Sequence, residues 1–153
     1  MSVVARMAEL GIELPPVAKP VAAYVPAVAS GHLVYTSGQL PMVEGELAAA
    51  GRLGAEISPE EGAELAKICG LNAIAAVKSV IGDLDRVVRI VKVVGFVAST
   101  PEFTSHPAVV NGASNLMKEA FGENGVHARS AVGVAALPLG APVEVEMIVE
   151  VAD

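Results

Sequence analysis

Val87-Val88-Arg89-Ile90-Val91-Lys92-Val93-Val94-Gly95-Phe96-Val97 is apolar on both of its alternating faces, interrupted only by Arg89 and Lys92. A strand with that pattern is covered on two sides. Upstream, Ser58-Pro59-Glu60-Glu61 places a hydroxyl at an N-cap, Pro at the first helical position and Glu three residues after the cap, which starts a helix. Ala66, Cys69, Ala73, Ile74, Val77 and Ile81 then form one stripe at helical spacing, and Gly82 stops it. Downstream, a second helix is expected from about Pro107 to Phe121, with Val110, Ala113, Met117 and Phe121 turned inward and Gly122 after it. Two more strands are expected near residues 127–136 and 143–151. Toward the N-terminus, Val21 to Val28 and His32 to Thr36 read as a hairpin broken at Ser30-Gly31, and a loop follows to Ile57. Residues 2–11 form a short amphipathic helix stopped at Gly11, and Pro15, Pro16 and Pro20 make an extended connector. The order is ββαβαββ, an α+β fold with a single sheet and two helices packed on one face. Residues 1–153 read as one domain, with 1–16 as an N-terminal helix and connector extension. No further long helix remains to cover the second face of the sheet, so that face is expected to meet other copies of the chain.

Composition excludes several functions. Ala (26) and Val (25) make up one third of the 153 residues and 53% are hydrophobic, so whole-chain disorder is out. A mean hydropathy of +0.57 is high for a short chain and again points to oligomerisation. Aromatic residues are 3% and the net charge is -7, with basic residues scattered. Nucleic acid would find neither stacking platforms nor a basic groove. The uncharged stretch from Pro20 to Val43 is broken too often by Pro, Gly and polar residues for a membrane span, and Arg6 and Glu9 interrupt any signal-peptide core. One cysteine, Cys69, closes no intrachain disulfide and lies on a helical stripe, so it is read as core packing in a reducing, cytoplasmic protein.

Phosphate-binding glycine loops are missing, and His32, His106 and His127 share no metal-ligand spacing. Neither a metal nor a cofactor is expected. The informative residue is Arg129, the only charged residue between Glu123 and Glu144, in the strand-like run His127-Ala128-Arg129-Ser130-Ala131-Val132-Gly133-Val134-Ala135-Ala136. A guanidinium keeps its proton, so a buried one requires an anion beside it. In the last strand, Val143, Val145, Met147, Val149 and Val151 alternate with Glu144, Glu146, Ile148 and Glu150. If the last two strands form a hairpin with an even loop, Arg129 shares a face with Glu144 and Glu146. Two readings stand: an ion pair bracing two strands, or an Arg that grips a substrate carboxylate by two prongs while a Glu handles water.

Tyr24, Thr36-Ser37-Gly38-Gln39, Asn111, Ala128-Arg129-Ser130 and Leu137-Pro138 ahead of Val143-Glu144-Val145-Glu146 resemble the RidA/YjgF family of enamine/imine deaminases, whose older label is endoribonuclease L-PSP. The resemblance spans roughly residues 18–152 and implies a chorismate-mutase-like fold, a homotrimer and a site in each cleft between subunits. It implies hydrolysis of 2-imino and enamine acids to 2-keto acids and ammonia without a cofactor. Arg129 matches the arginine that grips the carboxylate, Glu144 the glutamate that positions or activates water, and Tyr24, Ser37, Gly38 and Asn111 the pocket lining. Ala131 stands where many deaminases have cysteine and His127 replaces a small residue or proline, so a divergent subgroup with a different substrate range is implied. The longer 44–57 loop and the leading helix agree with that. By residue type alone, Tyr24 fits a hairpin packing residue as well as a pocket wall, Ser37-Gly38 also fits a simple turn, and Asn111 on a helix is more often a solvated or capping amide than a ligand contact. The alternative to catalysis is a trimer that only binds small 2-keto acids. Ribonuclease action ranks last, given the charge and the lack of a His pair.

Overall fold

The computed structural model describes residues 2–17 and 23–153. Pro20 of the connector and Val21 at the head of the first expected strand lie outside them. Helix α1 (Val3–Glu9) opens on the Ser2 side chain, which accepts from Ala5 N, and buries Met7. Strands β1 (Ala27–Ser30) and β2 (Leu33–Thr36) form the expected hairpin across Gly31-His32. Residues 23–26 stay outside the strand, shortening its expected start.

The stretch expected to be plain loop contains a small hairpin, β3 (Met42–Val43) with β4 (Glu46–Leu47). Its turn residues Glu44 and Gly45 have φ of 52° and 81°, the mirror-image turn whose twist suits two strands. Helix α2 (Pro59–Ile81) starts on the Ser58 cap, whose Oγ accepts from Glu61 N at 3.1 Å. Strand β5 (Val87–Ala98), helix α3 (His106–Phe121), strand β6 (Ala128–Val134) and strand β7 (Val143–Val151) follow.

The main sheet runs β1-β2-β7-β5-β6, with β5 and β6 parallel and every other neighbouring pair antiparallel. This corrects the expected β6–β7 hairpin. Because β5, α3 and β6 form a crossover unit, β6 lands parallel to β5 on its outer side. The segment after β6 then passes Pro138–Gly140 and returns β7 to the other flank of β5.

Helices α2 and α3 cover one face. The stripe residues Ala66, Cys69, Ala73, Ile74, Val77 and Ile81 are buried, as are Val110, Ala113, Met117 and Phe121 and the five odd positions of β7. Ridges of the two helices interlock closely at Gly112, where a Cβ would overlap the carbonyl of Ala63. The opposite face, uncovered among the described residues, presents Tyr35, Ile148, Val94, Phe96 and Val132 together with Lys92, Glu144 and Glu146. Tyr35 is 41% and Val132 44% exposed, a mixed apolar surface of the kind that protein partners cover.

Helix propensity alone favours Ala over Gly by about 1 kcal/mol, yet the Ala63 carbonyl leaves no room at position 112. Gly112→Ala is therefore expected to lower stability by roughly 1–3 kcal/mol, read as an earlier midpoint in urea unfolding. An unchanged or later midpoint would show that the helices can slide apart freely.

Candidate functional site

The candidate residues fall into two clusters, set by which face of the sheet each side chain leaves from. The first cluster lies where β2 meets β7. Between the paired residues Tyr35/Ile148 and Gln39/Val145, the β2 side has three residues and the β7 side two. One extra residue is a bulge, which bends the strand and re-aims its side chains. Gln39 and Val145 exchange backbone hydrogen bonds of 2.8 and 3.0 Å beyond it, and Thr36 Oγ1 accepts from Met147 N at 3.0 Å before it. Ser37 and Gly38 are held between these fastenings.

Gly38 lies directly under the Glu144 carboxylate, and a Cβ there would approach Glu144 Oε2 to 2.5 Å and Cδ to 2.8 Å. A side chain at this position would have to displace the Glu144 carboxylate. Ser37 Oγ donates to Val25 O at 2.6 Å, securing the segment that carries Tyr24, which is 58% exposed. Burial pushes the Glu144 carboxyl above its ordinary range, and Glu146, two residues along the same face of the strand, pushes it further. The result is a carboxylate of raised basicity beside open space.

The second cluster lies between α3 and β6. Arg129 is paired across the ladder with Val93, whose row includes the core residue Met147, so it leaves the sheet on the helix side. Asn111 and Ser114 are three residues apart on α3 and present their side chains together. Arg129 Nη1 donates to Asn111 Oδ1 at 2.7 Å and to Ser114 Oγ at 3.2 Å. Both hydrogens of Nη1 are thereby used, and both acceptors are neutral. The Nε and Nη2 edge makes no hydrogen bond, and Arg129 forms no salt bridge, among the described residues. Ala131 lies two residues along the same strand face, half-buried. A cavity of about 250 Å³ opens beside Arg129, bounded by Ser114, Lys118, Gly125 and His127.

The expected sharing of a face by Arg129, Glu144 and Glu146 is therefore corrected. Glu144 is paired with Phe96 and points to the uncovered face, while Arg129 points to the helix face with β5 between their strands. The ion-pair reading falls with it, since no carboxylate of the described residues meets the guanidinium. Within one chain, Tyr24, Ser37, Gly38 and Glu144 belong to one cluster, and Asn111, Arg129 and Ala131 to the other.

Sequence reasoning missed two supports. Asn72 is buried on α2, and its Nδ2 donates to Leu40 O and Met42 O at 3.1 Å each, pinning the segment that follows Gly38. A lone amide within an apolar stripe was the available signal. Ser114, one turn from Asn111, carried no such signal. Cys69 is fully buried with its thiol pushed well up by burial, as core packing requires. Among the described residues no three His, Cys, Asp or Glu side chains gather, and no helix is long and apolar enough to cross a membrane.

A family profile described as "YjgF/chorismate_mutase-like, putative endoribonuclease" matches residues 4–151. The chain belongs to this family. Protein TCP17 of Trypanosoma cruzi is 47% identical over 149 residues, covering 97% of this chain and 93% of that protein. The crystal structure of Atu1372 from Agrobacterium tumefaciens, a protein of unknown function, is 45% identical with a TM-score of 0.91, covering 98% and 92% of the two chains. Escherichia coli TdcF, solved with bound serine, is 25% identical with a TM-score of 0.62, covering 89% of this chain and 94% of its own. The drop in TM-score at near-complete coverage places this chain in a divergent subgroup of the RidA/YjgF family.

A carboxyl raised above 4.5 by folding favours the protonated form in the folded state. Its contribution to stability is present below the unfolded value and is lost as pH rises through the folded one. Glu144→Gln is accordingly expected to raise the melting temperature at pH 7, with the gain vanishing below about pH 4. Equal melting temperatures of the two proteins at pH 7 would contradict this.

Proposed function

We propose that this protein hydrolyses reactive 2-imino and enamine acids to 2-keto acids and ammonia, in clefts between the subunits of a homotrimer. The observation that carries the reading is the state of Arg129: it is gripped at Nη1 by two neutral side chains, with its Nε and Nη2 edge unclaimed among the described residues. That edge matches the two oxygens of a carboxylate. TdcF, which binds serine, is a relative whose ligand carries an α-carboxylate.

Arg129 and Glu144 leave opposite faces of one sheet with β5 between them, so a small substrate touching both must lie between two copies of the chain. One copy supplies Arg129, Asn111 and Ala131. Its neighbour supplies Glu144 over Gly38, with Ser37 and Tyr24 along the same wall. In the reaction the Glu144 carboxylate takes a proton from water as the oxygen adds to the C=N carbon, and the C=N electron pair moves to nitrogen. Glu144 returns that proton to the nitrogen, giving the carbinolamine, which expels ammonia as its hydroxyl proton passes to the nitrogen and the C–OH becomes the keto group. An imine is already electrophilic, so orientation and one activated water suffice without a cofactor. The raised basicity of Glu144 favours the proton transfer.

A binding-only trimer is the second reading, favoured by Ala131, which offers no polar group beside Arg129. Saturable 2-ketobutyrate binding without accelerated imine hydrolysis would select it. The net charge of -7 weighs against RNA as a substrate.

Arg129→Ala is expected to lower kcat/KM for ammonia release from 2-iminobutanoate by about 100-fold or more, with the oligomer intact by size exclusion. An undiminished rate overturns the proposal. Co-assembly of Arg129→Ala with Glu144→Gln, each inactive alone, is expected to restore about a quarter of the wild-type activity. Under random mixing, that is the share of junctions receiving both intact residues. No recovery in mixed assemblies would mean that the two residues do not meet across a junction.

A further inference from the structure

Behind Arg129 runs a chain of hydrogen bonds that the reaction above does not use. His127 Nδ1 lies 2.7 Å from Gly125 O, and His127 Nε2 lies 2.9 Å from Ser114 Oγ. Ser114 Oγ is in turn the second acceptor of Arg129 Nη1. A carbonyl only accepts, so Nδ1 must carry the imidazole proton. Nε2 of the neutral ring is then an acceptor, and the Ser114 hydroxyl donates to it. With its hydrogen committed to the ring, Ser114 turns a lone pair toward Arg129.

Burial holds the His127 pKa down, and Arg129 adds to that effect against the opposing hydrogen bond to Gly125. The ring therefore remains neutral, and the direction of the chain is fixed from Gly125 through His127 and Ser114 to the guanidinium. Asn111 occupies the other hydrogen of Nη1 at 2.7 Å. Two acceptors on one nitrogen set the plane of the guanidinium, because its atoms are coplanar and its five donors have fixed directions.

We infer that His127 and Ser114 are positioning residues that orient the guanidinium of Arg129 so that its Nε and Nη2 edge faces a substrate carboxylate. The inference rests on the carboxylate-gripping role proposed for Arg129. His127 touches no substrate in this arrangement and acts through Ser114. Its place two residues before Arg129 explains why an imidazole stands there: Gly125 and Ser114 are bridged by a ring with one donor and one acceptor on different atoms.

Ser114→Ala removes the hydroxyl, and His127→Asn keeps a donor near Gly125 while removing the acceptor for Ser114. Each is expected to raise the KM for 2-iminobutanoate and the Kd for 2-ketobutyrate by about tenfold, with kcat within about twofold. Combining them should add little, since both cut the same chain. His127→Gln, which returns an acceptor to the Ser114 side, is expected to recover most of the loss. In the unsubstituted protein, imidazole ¹⁵N resonances at pH 7.5 should show Nδ1 protonated and Nε2 bare.

An Nε2-protonated ring in the unsubstituted protein overturns the inference whether or not the variants fold. So does wild-type KM and Kd in Ser114→Ala, or a loss confined to kcat. Arg129→Ala separates the two levels. If it loses 2-ketobutyrate binding while Ser114→Ala and His127→Asn keep it, the positioning role alone fails. If Arg129→Ala itself binds 2-ketobutyrate normally, the underlying reading fails.

Discussion

The strict two-residue period of β7 organises this molecule. Val143, Val145, Met147, Val149 and Val151 are buried under α2 and α3, and the intervening Glu144, Glu146, Ile148 and Glu150 must point the other way. A shift of one residue would put three carboxylates into the core and five apolar side chains outside. The register is therefore fixed by the desolvation cost of ionised groups as much as by the apolar burial itself. From that register follow the location of Glu144 above Gly38 and its separation from Arg129 by β5.

Much of this was legible in the sequence, because helices and the alternation of β7 are local signals. The Ser58 cap, the Gly82 stop and the stripe between them mark α2 within a residue. The partner of β6 was not legible from its own pattern, since a small, apolar strand fits beside several neighbours. The β5–α3–β6 unit did hold the needed information: a strand, a helix and a strand in succession favour parallel neighbours in one sheet. Reading residues 127–151 as an isolated hairpin lost it. Arg129 and Glu144 stand out in the sequence as candidates, but their division between faces depends on that non-local topology. Asn72, Ser114 and the bulge at Ser37-Gly38 lie further from sequence logic. Their roles arise from contacts with residues 12 to 106 positions away, and only a fold brings those positions together.

Glu144 also shows how a candidate site departs from the most stable arrangement. Half-buried beside Glu146, it has a carboxyl that resists ionisation, and glycine beneath it gives the room that any side chain would fill. Arg129 departs in the opposite sense: its neighbours are amide and hydroxyl oxygens where a carboxylate would have neutralised it. Each cluster leaves one ionic demand unmet within the chain. A small anionic electrophile with a water molecule beside it would answer both.

Strand β6 forms an outer margin of the sheet, and apart from Arg129 it is built from small or apolar residues and one serine. Left unpaired, such a margin invites identical strands to zip together. The lone cation opposes that outcome, because in-register stacking of like strands would bring identical charges face to face. A charge placed for one purpose thus also disfavours fibrous self-association along that margin.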